Sequence, residues 1–158
     1  MAATMPPRSA SLDAASPQAR EADASDVRAQ GSPDQAMRLR GVRGATTVDA
    51  NNKEAILQAT TELLNAILES NDIQRDDVAS VFFTTTPDLD AEFPALAARH
   101  LGWSKVALMC AHEMNVPGSL PMCLRILMHV NTSKSAEELE FVYLRGALAL
   151  RPDLADET

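Results

Sequence analysis

The chain has 158 residues, 22 Asp and Glu against 14 Lys and Arg, and a formal net charge of -8. That length suits one domain. The acidic balance excludes a protein that lives on nucleic-acid phosphates or anionic membrane surfaces, since those partners call for a long-range positive field. The basic minority is nevertheless uneven, with eleven Arg and only Lys53, Lys105 and Lys134. Arginine is the residue with a planar, permanently charged fork for carboxylate or phosphate.

Residues 1–36 are predicted to be a disordered extension. Ala, Ser and Pro supply 19 of those 36 positions, and Leu12 and Val27 are almost the only large aliphatics. Such a stretch cannot bury enough apolar area to offset its ordering entropy. An organellar transit peptide fits the Ala/Ser richness, but Asp13, Glu21, Asp23, Asp26 and Asp34 contradict the acid-poor pattern of such leaders. The structured domain is expected over 37–154, opening at Met37, which is itself a candidate start. A short flexible tail is expected at 155–158.

Leu39 to Val48 reads as a strand punctuated by Gly41 and Gly44. Asn51, with Glu54 three residues on, resembles a capping box, and Ile56, Ala59, Leu63, Leu64 and Ile67 recur at helical spacing up to about Asn71. Val78 to Thr86 is rich in β-branched and aromatic residues and stops at Pro87-Asp88, as a strand before a turn does. Phe93 to Leu101 is predicted as a short helix with Pro94 in its first turn and Gly102 past its end. Lys105 to Ala111 reads as a buried strand, Glu113 to Pro121 as a loop, and Leu124 to Val130 as a strand. Ser135 to Glu138 has the form of a capping box opening a short helix, and Phe141 to Leu150 reads as a last strand stopped by Pro152. The order implies an α+β (mixed α/β) domain with a five-stranded mixed sheet and helices on one face. No run approaches the length of a membrane span, and Cys110 and Cys123 lie in apolar stretches, which suits a reducing, cytoplasmic-type compartment.

The sequence lacks a P-loop, a Gly-x-Gly-x-x-Gly turn, a Gly-x-Ser-x-Gly elbow and any Cys/His spacing for zinc. Neither a metal nor a cofactor is called for. Cys110 shares a strand face with His112, which reads either as a nucleophile beside its base or as a small buried thiol. Polar residues do collect at strand ends and loops: Arg43, Glu113, Arg125, Tyr143 and Arg151. Taken singly, Arg43 is as well explained by a surface ion pair and Glu113 by a loop charge. Arg125 is different, because it interrupts the apolar run Leu124, Ile126, Leu127, Met128, where a charge must be paired or functional. Tyr143 alternates with Phe141 and Arg145 and reads as core edge, and Gly146 reads as a bulge that resets the alternation.

The segments RGVRGATTV (40–48), TPDL (86–89), FPALAAR (93–99), GW (102–103), CAHEM (110–114), LRILM around Arg125 and VYLRGALALRPDL (142–154) resemble the sheet-based chorismate mutases of the AroH class. The resemblance covers nearly all of 37–154. It implies conversion of chorismate to prephenate, a step toward phenylalanine and tyrosine, by homotrimers whose pseudo-α/β-barrel core carries three clefts at subunit interfaces. It implies that Arg43 grips a substrate carboxylate, Arg125 faces the breaking ether oxygen, and Glu113 pairs with the ring hydroxyl. Cys110 would neighbour that hydroxyl and Tyr143 contact a substrate carboxylate. Phe93, Ala95 and Leu150 would be apolar walls, with Arg99 and Arg151 at the mouth. The sequence departs from the pattern at Leu96, where relatives have lysine, and is one residue shorter between Arg99 and Trp103. A non-catalytic metabolite-binding or regulatory trimer of the same architecture is the alternative, and an interaction module recruiting partners through residues 1–36 a weaker one.

Overall fold

The structure, a computed structural model, describes residues 36–152. The expected disordered extension, apart from Ala36, and the flexible tail fall outside the described residues. Five strands form one mixed sheet in the order β3-β2-β4-β1-β5, with β1 Arg38–Thr47, β2 Val78–Thr85, β3 Ala107–His112, β4 Cys123–Thr132 and β5 Val142–Tyr143. The long central strand β4 is antiparallel to both β1 and β2, while β3 joins β2 and β5 joins β1 in parallel. The expected fold class holds.

Strand alternation decides the layering. On β4, Leu124, Ile126, Met128 and Val130 are buried, whereas Arg125 and His129 are half-buried and Leu127 is exposed. The buried set packs with Val42, Val81 and Phe83 under helix α1 (Lys53–Asn71), whose Ile56, Ala59, Leu63, Leu64 and Ile67 form one apolar stripe. Burying each such aliphatic side chain contributes ~1.5–3 kcal/mol. The opposite face of the sheet is largely uncovered, leaving Phe82, Met109 and Leu127 at 37%, 58% and 42% exposure. The α-helical layer therefore sits on one face, as expected. Among the described residues no helix is long and apolar enough to cross a membrane.

Four local expectations need correction. The α1 cap is Asn52, whose side chain accepts from the Ala55 N–H at 2.9 Å. Asn51 instead binds Asp90 and the Ala91 N–H, tying the loop after β2 to the start of the helix. Strand β3 is an edge strand rather than a buried one: Leu108 and Cys110 turn inward while Ala107, Met109, Ala111 and His112 are exposed. Ser135 to Glu138 forms half a capping box, the Ser135 N–H donating to Glu138, but no helix follows. The chain is drawn out there instead, because Glu140 exchanges hydrogen bonds with the Asn71 side chain at the end of α1.

The last expected strand is mostly not a strand. Only Val142 and Tyr143 pair with β1, opposite Gly44 and Ala45. The backbone turns at Arg145, φ 52°, into a 3-10 helix over Arg145–Leu150. That turn, not a bulge at Gly146, is what brings Leu150 back beside Tyr143. It buries Ala147 against Ala45 and Cys123 on the otherwise open face.

The second helix, α2 (Ala95–His100), follows the TPDL loop. Asp88 fastens this loop to the entry of β4: it accepts from the Thr86 hydroxyl and from the Met122 N–H, and Thr86 in turn accepts from the Cys123 N–H. The Thr86 hydrogen bond, followed by the Met122 N–H, holds the Asp88 carboxyl below its ordinary value of 3.8. A depressed carboxyl contributes stability above the unfolded-state value and loses it as pH falls through the folded one. Asp88→Asn should therefore lower the thermal midpoint at neutral pH. The gap from wild type should persist down to about pH 4 and close on further acidification. A gap independent of pH, followed by circular dichroism, would show that the carboxylate charge plays no part.

Candidate active site

Sheet register sets Arg125 in a transverse row. Its neighbours are Ala45 on β1 and Thr84 on β2, and Ala45 is in turn beside Tyr143 on β5. The next row along the open face joins Arg43, Leu127 and Phe82. Glu113 directly follows β3 and is held to β2 by its N–H, which donates to the Thr85 carbonyl at 2.8 Å. Its carboxylate accepts from the Thr84 hydroxyl and pairs with Arg125, Nη1 to Oε2, at 3.6 Å. The arginine inside the apolar run is thus paired, as a charge in such a segment requires.

These rows floor a cavity of about 630 Å³. Arg43, Glu113, Arg125, Tyr143, Leu150 and Arg151, all expected from the sequence, line it. Thr84, Phe82 and Leu127 line it too and were not anticipated. Arg43 lies over the Phe141 ring at 5.1 Å, and Arg151 over Tyr143 at 5.6 Å. Such stacking orients the plane of a guanidinium. Among the described lining residues, Arg43, Arg125 and Arg151 are cationic and Glu113 is anionic, on a protein that is acidic as a whole. The Nε of Arg125 is buried and has no acceptor among the described residues.

The other four expected residues lie elsewhere. Cys110 and Phe93 line a second cavity, about 360 Å³, together with His112. It opens where β3 meets the segment leading into α2. Ala95 packs half-buried against the core at the start of α2, and Arg99 is exposed on that helix. Within one chain the cation-lined cavity and the Phe93/Cys110 surface are separate. The nucleophile reading of Cys110 fails on two counts. Burial pushes its thiol up, opposite to what a thiolate nucleophile needs, with the Ala95 N–H only partly offsetting this. His112 Nδ1 is engaged by Thr85 rather than by the thiol.

The cavity is braced from behind. Cys123 lies fully buried two residues before Arg125, on the same side of β4, within the small cluster under the 3-10 helix. Burial pushes this thiol up, the neighbouring Arg125 guanidinium acting in the opposite sense. It packs beside Arg125, against Ala45 and Ala147.

The chorismate mutase type I family model matches residues 39–154. The chorismate mutase AroH of Bacillus subtilis (strain 168) is 45% identical over 120 residues, covering 75% of this chain and 94% of that protein. Its counterpart from Thermus thermophilus is 50% identical over 117 residues, covering 73% and 96%. Among solved structures, a chorismate mutase from Clostridium thermocellum superposes with a TM-score of 0.69 at 49% identity, covering 70% of this chain and 98% of that one. With family model, relatives and fold in agreement over the segment that carries the cavity, the chain belongs to the type I chorismate mutases, a family of isomerases.

Proposed function

We propose that this protein rearranges chorismate to prephenate in the cation-lined cavity, and that the cavity is completed by the Phe93–Arg99 segment and Cys110 of a neighbouring copy in a homotrimer. The observation that carries the reading is Arg125, a guanidinium paired with Glu113 at the floor of a cavity.

The reaction suits that inventory. One C–O bond breaks while one C–C bond forms within a single molecule, and no proton, hydride or electron changes hands. The work is to hold a flexible dianion in its folded reactive conformer and to answer negative charge that grows on the ether oxygen. Arg43 and Arg151 line the same cavity as Arg125, which places guanidinium groups where the carboxylates of the substrate would lie. Holding the reactive conformer is orientation catalysis, worth up to ~7–11 kcal/mol in favourable cases. Arg125 facing the ether oxygen is stronger in the transition state than in the ground state, which is what raises kcat. Glu113, fixed by Thr84, keeps the guanidinium aimed and offers an acceptor for the ring hydroxyl. The free thiols Cys110 and Cys123 support a reducing, cytoplasmic-type setting.

Incubating the purified protein with chorismate and following its ultraviolet absorbance tests the activity. The expected result is loss of substrate with formation of prephenate, and no turnover would end the reading. Co-refolding Arg125→Ala with Arg99→Ala tests the shared site. If each cleft draws on two copies, random mixing recovers roughly a quarter of wild-type activity from two impaired variants. Recovery no greater than the average of the two would place each complete cleft in one chain.

A further inference from the structure

We propose that Arg145, which lies outside the cavity, is a positioning residue that sets the cleft wall formed by Tyr143, Leu150 and Arg151. The proposal rests on the activity argued above. Arg145 is the first residue of the closing 3-10 helix and adopts φ 52°, a left-handed conformation that a residue with a side chain rarely takes. Its guanidinium reaches three separate segments. Nη1 donates to the Thr47 carbonyl at the end of β1 and to Asp49 beyond it, each at 3.4 Å, and Nη2 to Glu62 on α1 at 2.5 Å.

A lone exposed ion pair has little effect. This side chain is only 28% exposed and uses the fork geometry to cross-link strand, loop and helix. The contacts around it converge on the same spot. The Gly146 N–H donates to the Thr47 hydroxyl at 3.1 Å, and a Cβ at Gly146 would lie 3.0 Å from that side chain. The Leu144 N–H donates to the Ala45 carbonyl at 2.9 Å, and Ala147 is fully buried. Beyond this fastening, the 3-10 helix runs directly to Leu150 and Arg151 at the cavity. The clamp acts where the chain leaves the sheet, so it fixes the direction in which that wall returns. Substrate and transition state meet the wall alike, so a loosened wall should weaken binding more than it slows the chemical step.

The test uses full-length Arg145→Ala, Arg145→Gly and Arg145→Lys with chorismate, together with amide hydrogen exchange. Arg145→Ala should raise KM about tenfold with kcat within about twofold of wild type. Exchange should quicken at Ala147 and Arg151, whose N–H groups hold the 3-10 helix, and not in α1. Arg145→Gly, which relieves the left-handed backbone but removes the fork, should show the same KM effect. Arg145→Lys, keeping the charge but not the fork, should fall between alanine and wild type. Wild-type KM and exchange in Arg145→Gly would overturn the proposal, as would uniformly faster exchange across the sheet. If the wild-type protein does not turn over chorismate, the functional reading fails, while the exchange experiment still decides whether Arg145 holds the wall.

Discussion

Replacing Arg125 by alanine is expected to lower kcat by about 10²–10³-fold or more while leaving the protein folded. A single preorganised donor aimed at developing charge is worth ~3–4 kcal/mol of transition-state stabilisation. Here the donor is a full cation, paired with Glu113, whose carboxylate is in turn held by Thr84. The substitution leaves Glu113 without its guanidinium, but that carboxylate keeps the Thr84 hydroxyl and retains 22% side-chain exposure, so water can compensate. Arg125→Lys should be intermediate, since an ammonium keeps the charge and loses the planar fork. The checks are steady-state kinetics and thermal unfolding. If the midpoint falls in proportion to the lost activity, Arg125 is a structural ion-pair member and the mechanism must be reassigned.

The largest stability effect should come from a single methyl group. Gly44 lies where α1 rests on β1 and where β5 joins, and a Cβ built on it would sit 2.7 Å from the Val142 carbonyl oxygen. It would also stand 3.0 Å from the Cδ1 atoms of Leu63 and Ile67. Neither neighbour can yield alone: one is backbone, and the others are fully buried. Gly44→Ala should cost about 1–3 kcal/mol, lowering the thermal midpoint by several degrees. Because the displaced backbone carries Tyr143, the remaining folded protein should also bind substrate less well. An unchanged midpoint would mean that β5 moves aside freely and contributes little to the sheet.

The sequence carried the helix stripe of α1 and the alternation on β4 plainly, because both are local periodicities set by one buried face. Arg125 was conspicuous for the same reason, a charge among residues made for burial. The final segment was not legible. Phe141 to Leu150 has a strand's composition, but its turn at Arg145 depends on contacts with Thr47, Asp49 and Glu62, remote in the chain. Ser135 to Glu138 failed as a helix because Asn71 supplies competing hydrogen bonds. Resemblance supplied the roles of Arg43, Glu113 and Tyr143, whereas the placement of Thr84 beside Arg125 follows only from the register of β2 on β4. No local pattern encodes that register.

The row Tyr143, Ala45, Arg125, Thr84 crosses four hydrogen-bonded strands, with steps of about 4.8 Å fixed by the ladder. The cation therefore has the stiffness of a sheet rather than of a loop, and its alignment persists as long as the ladder does. Warming should leave this row undistorted up to the temperature at which the strands separate. Leu150 and Arg151 reach the cavity from the 3-10 helix, outside the ladder, so substitutions there should alter binding without disturbing the row.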